Sequence, residues 1–193
     1  MPKGADDDHL SSLVSLAREG DRKAYGKIFR LCYKDIYDYV SRRVGNREDV
    51  EDLVMQVFAK GLVAVAGYEE RGYSVKAWLY RIAHNAVVDH WRSSGTTVGS
   101  EDLPETASDV DVEGLIASRD ELDGLYKELV GLPTAQAEVL VLRFIEDMSV
   151  SETAMILDKK EVTVRALQFK GINNLRKRMM ELAESEMTGK SDD

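Results

Sequence analysis

Wherever apolar residues recur in this chain, they recur every three to four positions, and no stretch shows the apolar–polar alternation that a half-buried strand requires. Proline is confined to Pro2, Pro104 and Pro133, so almost nothing interrupts a helical backbone. This pattern predicts an all-α fold. The 193 residues are enough for two small helical domains with cores of their own.

The first domain is expected over 8–94. Asp21 has the side chain of an N-cap, and the helix after it turns Tyr25, Ile28, Phe29, Cys32, Ile36, Tyr39 and Val40 inward until Gly45 and Asn46 end it. Asn46 starts the next helix, which runs to about Ala64 on Val50, Leu53, Val54, Val57 and Phe58. Its first turn, Glu48, Asp49, Glu51 and Asp52, is acidic, as the positive end of a helix favours. A loop over 67–74, GYEERGYS, precedes a helix over 74–94.

That helix has two faces. Leu79, Ile82, Ala83, Ala86 and Val87 form an apolar stripe, while Trp78, Arg81, Asn85, Val88, Asp89 and Arg92 form a second one. An aromatic ring, two guanidiniums and an amide on one strip suit nucleic acid: the ring stacks on bases, arginines hold phosphates and the amide reads a base edge. The same strip also fits a core helix with a half-buried Trp78 and solvated arginines.

From Ser93 to Glu113 the acids Glu101, Asp102, Glu105, Asp109, Asp111 and Glu113 stand without a single base, and residues 95–112 have no apolar period. They read as a flexible acidic linker. The second domain is expected over 113–184, with Leu115, Ile116, Leu122, Leu125, Tyr126 and Leu129 as one apolar side and Pro133 opening a further helix. Ser149 and Glu152 resemble a capping box before a short helix over 150–157. After a turn at Asp158, Lys159 and Lys160, a long helix runs from about Glu161 into the 180s, so the domain ends in a helix-turn-helix. Val164, Leu167, Ile172 and Leu175 point inward on the long helix, while Arg165, Ala166, Phe169 and Lys170 form one outward strip able to meet phosphates, guanine edges and a thymine methyl. An ordinary helical hairpin with a solvated basic face fits the same residues. Residues 185–193 read as a polar tail.

The net charge of −9 argues against a general nucleic-acid coat, yet seven bases against two acids between Asp158 and Arg178 allow a local DNA contact. His9, His84 and His90 lack metal-ligand spacing, and there is no phosphate loop or nucleophile elbow. No catalytic residue, metal or cofactor is expected, and the chain is not read as an enzyme. Cys32 is read as a small core residue. With no run of 18 apolar residues and no signal-peptide layout, a cytoplasmic protein without membrane insertion is expected.

In order and spacing these segments resemble the extracytoplasmic-function (ECF, group IV) sigma factors of bacterial RNA polymerase, from about Leu10 to Leu182. REDVEDLVMQVFAKGL is similar to region 2.2 of that group, KAWLYRIAHNAVVDHWR to regions 2.3–2.4, and LPTAQAEVLVLRFIEDMSVSETAMIL with EVTVRALQFKGINNLRKR to region 4. The resemblance implies that Glu51, Asp52 and Gln56 dock onto core RNA polymerase. It implies that Tyr68, Trp78, Arg81, Asn85 and Arg92 bind the minus-ten element, with Asn85 lining a pocket for a flipped base and Tyr68 stacking on it. Arg165, Ala166, Phe169 and Lys170 would enter the major groove of the minus-thirty-five element. Promoter DNA, core polymerase and an anti-sigma factor are the implied partners, with a monomer when free. Met55-Gln56 departs from the usual Gln-Glu, and His84 stands where Arg is frequent. A stand-alone helix-turn-helix regulator and a purely structural helical adaptor are the rival readings.

Overall fold

The computed structural model describes residues 3–69, 72–93, 129 and 131–188. All the regular structure among them is helical: α1 (Lys3–Arg18), α2 (Arg22–Ser41), α3 (Arg47–Ala64), a 3-10 turn (Val65–Gly67), α4 (Val75–Ser93), α5 (Thr134–Leu140), a π-type turn (Val141–Ile145), α6 (Val150–Ile156) and α7 (Glu161–Thr188). The acidic linker and the apolar segment between 113 and 128 lie outside the described residues. The backbone separates into two units, one of residues 1–97 with 151–159, the other of 98–150 with 160–193.

The first unit forms from local signals that agree with each other. Asp21 caps α2 by accepting hydrogen bonds from the amides of Lys23 and Ala24 at 2.8 and 3.2 Å. Asn46 caps α3, its Oδ1 accepting from the Glu48 amide at 3.1 Å. The expected apolar stripes are buried: Ile28, Cys32, Ile36 and Tyr39 from α2, Val50, Val54, Val57 and Phe58 from α3, and Leu79, Ala83 and Val87 from α4. α2 ends at Ser41, four residues before Gly45, because Arg42 closes it. Sequence reasoning passed over α1, which packs against α2 and reaches α4 through Leu10, Leu13, Val14 and Ala17.

Residues 151–159 group with this unit, and Glu152 is tied into it. Its buried carboxylate accepts hydrogen bonds from the amide and hydroxyl of Ser74, at 3.0 and 2.5 Å. Glu152 was expected only as the capping partner of Ser149. The turn after α6 places Asp158 at φ 51°, a left-handed conformation that Asp tolerates where glycine is more usual.

In the second unit, Leu129, Leu132, Leu140 and Val141 form a core closed by Ala137, Ile145, Ile172 and Leu175. Gly171 lets α7 approach α5, since a Cβ there would lie 3.1 Å from Leu140. Arg178, the last base of the basic run, donates to the Gly131 carbonyl at 3.0 Å and ties the segment before α5 to α7. Helix α7 extends to Thr188, into the segment read as a tail.

Cys32 is 1% exposed, and burial pushes its thiol up to about 12. The thiolate is the reactive form. An aromatic disulfide reagent should therefore titrate one thiol per chain only after denaturation; rapid labelling of the native protein would contradict this packing.

Candidate nucleic-acid interface

The back of α4 is locked to the unit, which fixes what its front presents. Leu79, Ala83 and Val87 are fully buried, and so is Tyr80, which the stripe analysis missed. Tyr80 meets Tyr39 edge-on, with ring centroids 5.0 Å apart. The Tyr39 hydroxyl lies 3.4 Å from His84 Nδ1, and the Arg43 guanidinium sits 3.7 Å above the Tyr39 ring. Lys76 pairs with Asp35 of α2 at 2.8 Å.

The opposite face then follows from helix geometry. Arg81, Asn85 and Arg92 are exposed, while Trp78 and Val88 are half-buried. From Trp78 to Arg92 the strip runs roughly 20 Å along the axis. Neither the amide of Asn85 nor the guanidinium of Arg81 is engaged among the described residues. Arg92 makes only a loose 3.8 Å approach to Asp89. Such an exposed pair is worth under about 1 kcal/mol and leaves the guanidinium available.

Tyr68 joins this strip from the loop before α4. Its ring packs on Trp78 at 5.1 Å and 65°, and its hydroxyl donates to the Tyr73 carbonyl at 3.4 Å. Ser74 sets the start of the helix: its hydroxyl accepts from the Ala77 amide at 3.2 Å. Thus Tyr68 and Trp78 are in contact, with Arg81 and Asn85 one and two turns further along.

Helix α3 carries a different surface. Glu51, Asp52 and Gln56 are all exposed. Glu51 holds Arg47 at 2.9 Å, an i,i+4 pair that raises the guanidinium pKa through its hydrogen bond. Apolar residues outside the buried stripe of α3 are exposed as well: Met55, at 56%, beside the acids, and Leu62 at 47% and Val63 at 82%, about three turns beyond Glu51.

On α7, Arg165, Ala166, Phe169 and Lys170 all face outward, with Phe169 69% exposed, while Val164 is fully buried. Arg165 is held by Glu161 at 3.1 Å in an exposed i,i+4 pair. Arg143 braces the inner side of α7 through Gln168 at 3.1 Å and also donates to the Met148 carbonyl. Among the described residues no group of three or more His, Cys, Asp or Glu side chains has metal-holding geometry, and no helix is long and apolar enough to cross a membrane.

Two family patterns match this chain in the expected order: sigma-70 region 2 over residues 28–97 and sigma-70 region 4 over residues 129–177. The chain belongs to the sigma-70 family. The ECF RNA polymerase sigma factor SigW of Bacillus subtilis is 28% identical, over 90% of this chain and 98% of its own. SigD of Mycobacterium tuberculosis is 28% identical over 88% of this chain and 83% of its own. BldN of Streptomyces coelicolor is 28% identical over 89% of this chain, which spans 66% of that longer relative. Among solved structures, CnrH in complex with the cytosolic domain of CnrY has a TM-score of 0.65 at 22% identity, covering 88% of this chain and 96% of that one. RpoE of Bartonella quintana with NepR reaches 0.60 at 20% identity, covering 82% and 98%. These two share its fold. The exposed strip of α4 falls within the region 2 match, and that of α7 within the region 4 match.

Proposed function

We propose that this sigma-70 family member is an ECF, group IV sigma factor that binds core RNA polymerase and directs promoter recognition, melting and transcription initiation in the cytoplasm. The observation that carries this reading is the α4 strip: a ring pair, an open guanidinium and an unengaged amide, held outward by a fully buried back face. A solvated core helix has no need of that combination.

The chain does no covalent chemistry in this reading. Extruding a base from the stack costs a few kcal/mol. Stacking on Tyr68, braced by Trp78, returns about 1–3 kcal/mol, and the Asn85 amide adds hydrogen bonds to the base edge. Arg81 and Arg92 hold the backbone of the same strand. One captured base is roughly balanced, so wider opening draws on the contacts of the polymerase. Glu51, Asp52 and Gln56, with Met55 beside them, dock α3 onto core polymerase. Arg165, Ala166, Phe169 and Lys170 enter the major groove of the minus-thirty-five element. The fold neighbour RpoE, solved in complex with the anti-sigma factor NepR, supports an anti-sigma factor as a further partner, and the free protein is taken as a monomer.

A stand-alone helix-turn-helix regulator accounts for α6 and α7 but leaves the α4 strip without a use. Purified core polymerase should acquire specific run-off transcripts when this chain is added. Tight operator-like duplex binding with no transcripts and no association with core polymerase would overturn the proposal in favour of the regulator.

A further inference from the structure

Helix α2 has an outward face that the proposed function does not use. Lys23, Lys27, Arg30 and Lys34 stand at i, i+4, i+7 and i+11, so they line one side of the helix over roughly 16 Å. All four are exposed. They lie opposite Ile28, Cys32, Ile36 and Tyr39, which bury α2 in the unit. Acids outnumber bases in this chain by 35 to 26, yet every position of this row is a base.

Of the four cations, the nearby carboxylates neutralise only Lys34. Asp21 is engaged as the N-cap of α2, Asp35 is bound to Lys76 at 2.8 Å, and Asp38 pairs with Lys34 alone at 2.7 Å. Lys23, Lys27 and Arg30 form no ion pair among the described residues. Along the flank facing α3 runs a ladder of rings. Phe29 and Tyr33 are 5.2 Å apart, Tyr33 and Tyr37 are 5.9 Å apart and near parallel at 28°, and Phe29 rests edge-on against Phe58 at 4.7 Å. Tyr33 and Tyr37 are only half-buried, and each stands three positions after a cation of the row, Arg30 and Lys34, so on the helix surface they flank it.

We infer that the outward face of α2 is a second nucleic-acid surface, one that takes single-stranded DNA. A straight row of cations matches a linear polyanion, since every nucleotide of a strand carries a charged phosphate. The flanking tyrosines favour a single strand over a duplex, because only unstacked bases can lie on an aromatic shoulder. An acidic protein segment would use the cations and leave the rings idle. Because α2 and α4 pack against each other in one compact unit, a strand released by melting can be held at both. The inference rests on the proposed melting role only for the source of that strand.

The test is fluorescence anisotropy of the full chain with a labelled oligo-dT strand and with a duplex of equal length, across a salt series. The variant Lys23→Gln/Lys27→Gln/Arg30→Gln alters only exposed positions. Loss of three phosphate contacts should lower the log–log salt slope for the single strand by about 2, at roughly 0.7 per contact. The same drop is expected when the variant is built on Asn85→Ala, since the two surfaces are separate. An unchanged slope, or a fall with the duplex alone, overturns the inference. So does weakened binding to core polymerase with the strand affinity intact, which would give this face to a protein partner. Run-off transcription by the wild-type chain separates the two readings: transcripts with an unchanged slope sink this inference and leave the sigma function standing.

Discussion

Gly61→Ala should destabilise the first unit by about 3 kcal/mol and lower its melting temperature by roughly 15 °C. Alanine is ordinarily the better helix residue, by up to about 1 kcal/mol, so the expected sign is opposite to propensity. The reason is a single close approach. A Cβ at Gly61 would clash with the Tyr25 hydroxyl, whereas its distances to Tyr25 Cζ and Leu79 Cδ2, 3.6 and 3.5 Å, are ordinary contacts. That hydroxyl donates to the Phe58 carbonyl at 2.6 Å. Burial holds its pKa above the usual phenol value, so it stays a donor. Alanine must therefore push Tyr25 out of a packed site and leave a buried hydroxyl without its acceptor. Tyr25→Phe supplies the check, because it removes only the clashing oxygen. The pair Gly61→Ala/Tyr25→Phe should melt well above Gly61→Ala alone, and additive losses in the double-mutant cycle would show that the steric account is wrong.

The contact between Gly61 and Tyr25 also marks where sequence reasoning stops. Helices α2, α3 and α4 were legible because their caps and apolar stripes are local: Asp21 and Asn46 act within three residues, and the stripes repeat within two turns. The outward strips on α4 and α7 followed from the same periodicity, as the complement of what must be buried. Partners fixed by tertiary approach left no such trace. Glu152 carries the signature of a capping box, yet its carboxylate serves Ser74, 78 residues away in sequence. Arg178 sits in a basic run that suits DNA or a helix C-terminus, and it is instead engaged by the carbonyl of Gly131. Helix α1 was missed for a different reason. Leu10, Leu13, Val14 and Ala17 do have helical spacing, but the acidic run Asp6-Asp7-Asp8 before them looks like solvated coil until the groove on α2 and α4 is known to be there. The exposed aliphatic groups of α3 were hidden too, because an apolar residue on a helix is first counted toward the core.

If the proposed function holds, the outward strips of α4 and α7 should fail in opposite steps of initiation. Asn85→Ala removes an exposed amide that supports no neighbour, so the fold is unaffected and only contacts to DNA are lost. Losing the base-edge hydrogen bonds of one captured base, about 1–3 kcal/mol, should lower open-complex formation by roughly 10- to 100-fold, with the salt dependence of duplex binding unchanged. Arg165→Ala/Lys170→Ala removes two exposed cations that the proposal sets against phosphates or guanine edges before any base is unstacked. Its duplex affinity should fall, with a salt slope smaller by about 2, while the fraction of bound complexes that open stays near wild type. Breaking the Arg165–Glu161 pair costs little of itself, because both groups are solvated. Permanganate reactivity of unpaired thymines measures opening, and a gel or anisotropy titration of the closed complex measures binding. The division of labour requires the two variants to separate on those axes. If Asn85→Ala weakened closed-complex binding as much as it weakened opening, the amide would be reading duplex DNA rather than a flipped base, and the pocket formed with Tyr68 would lose its role.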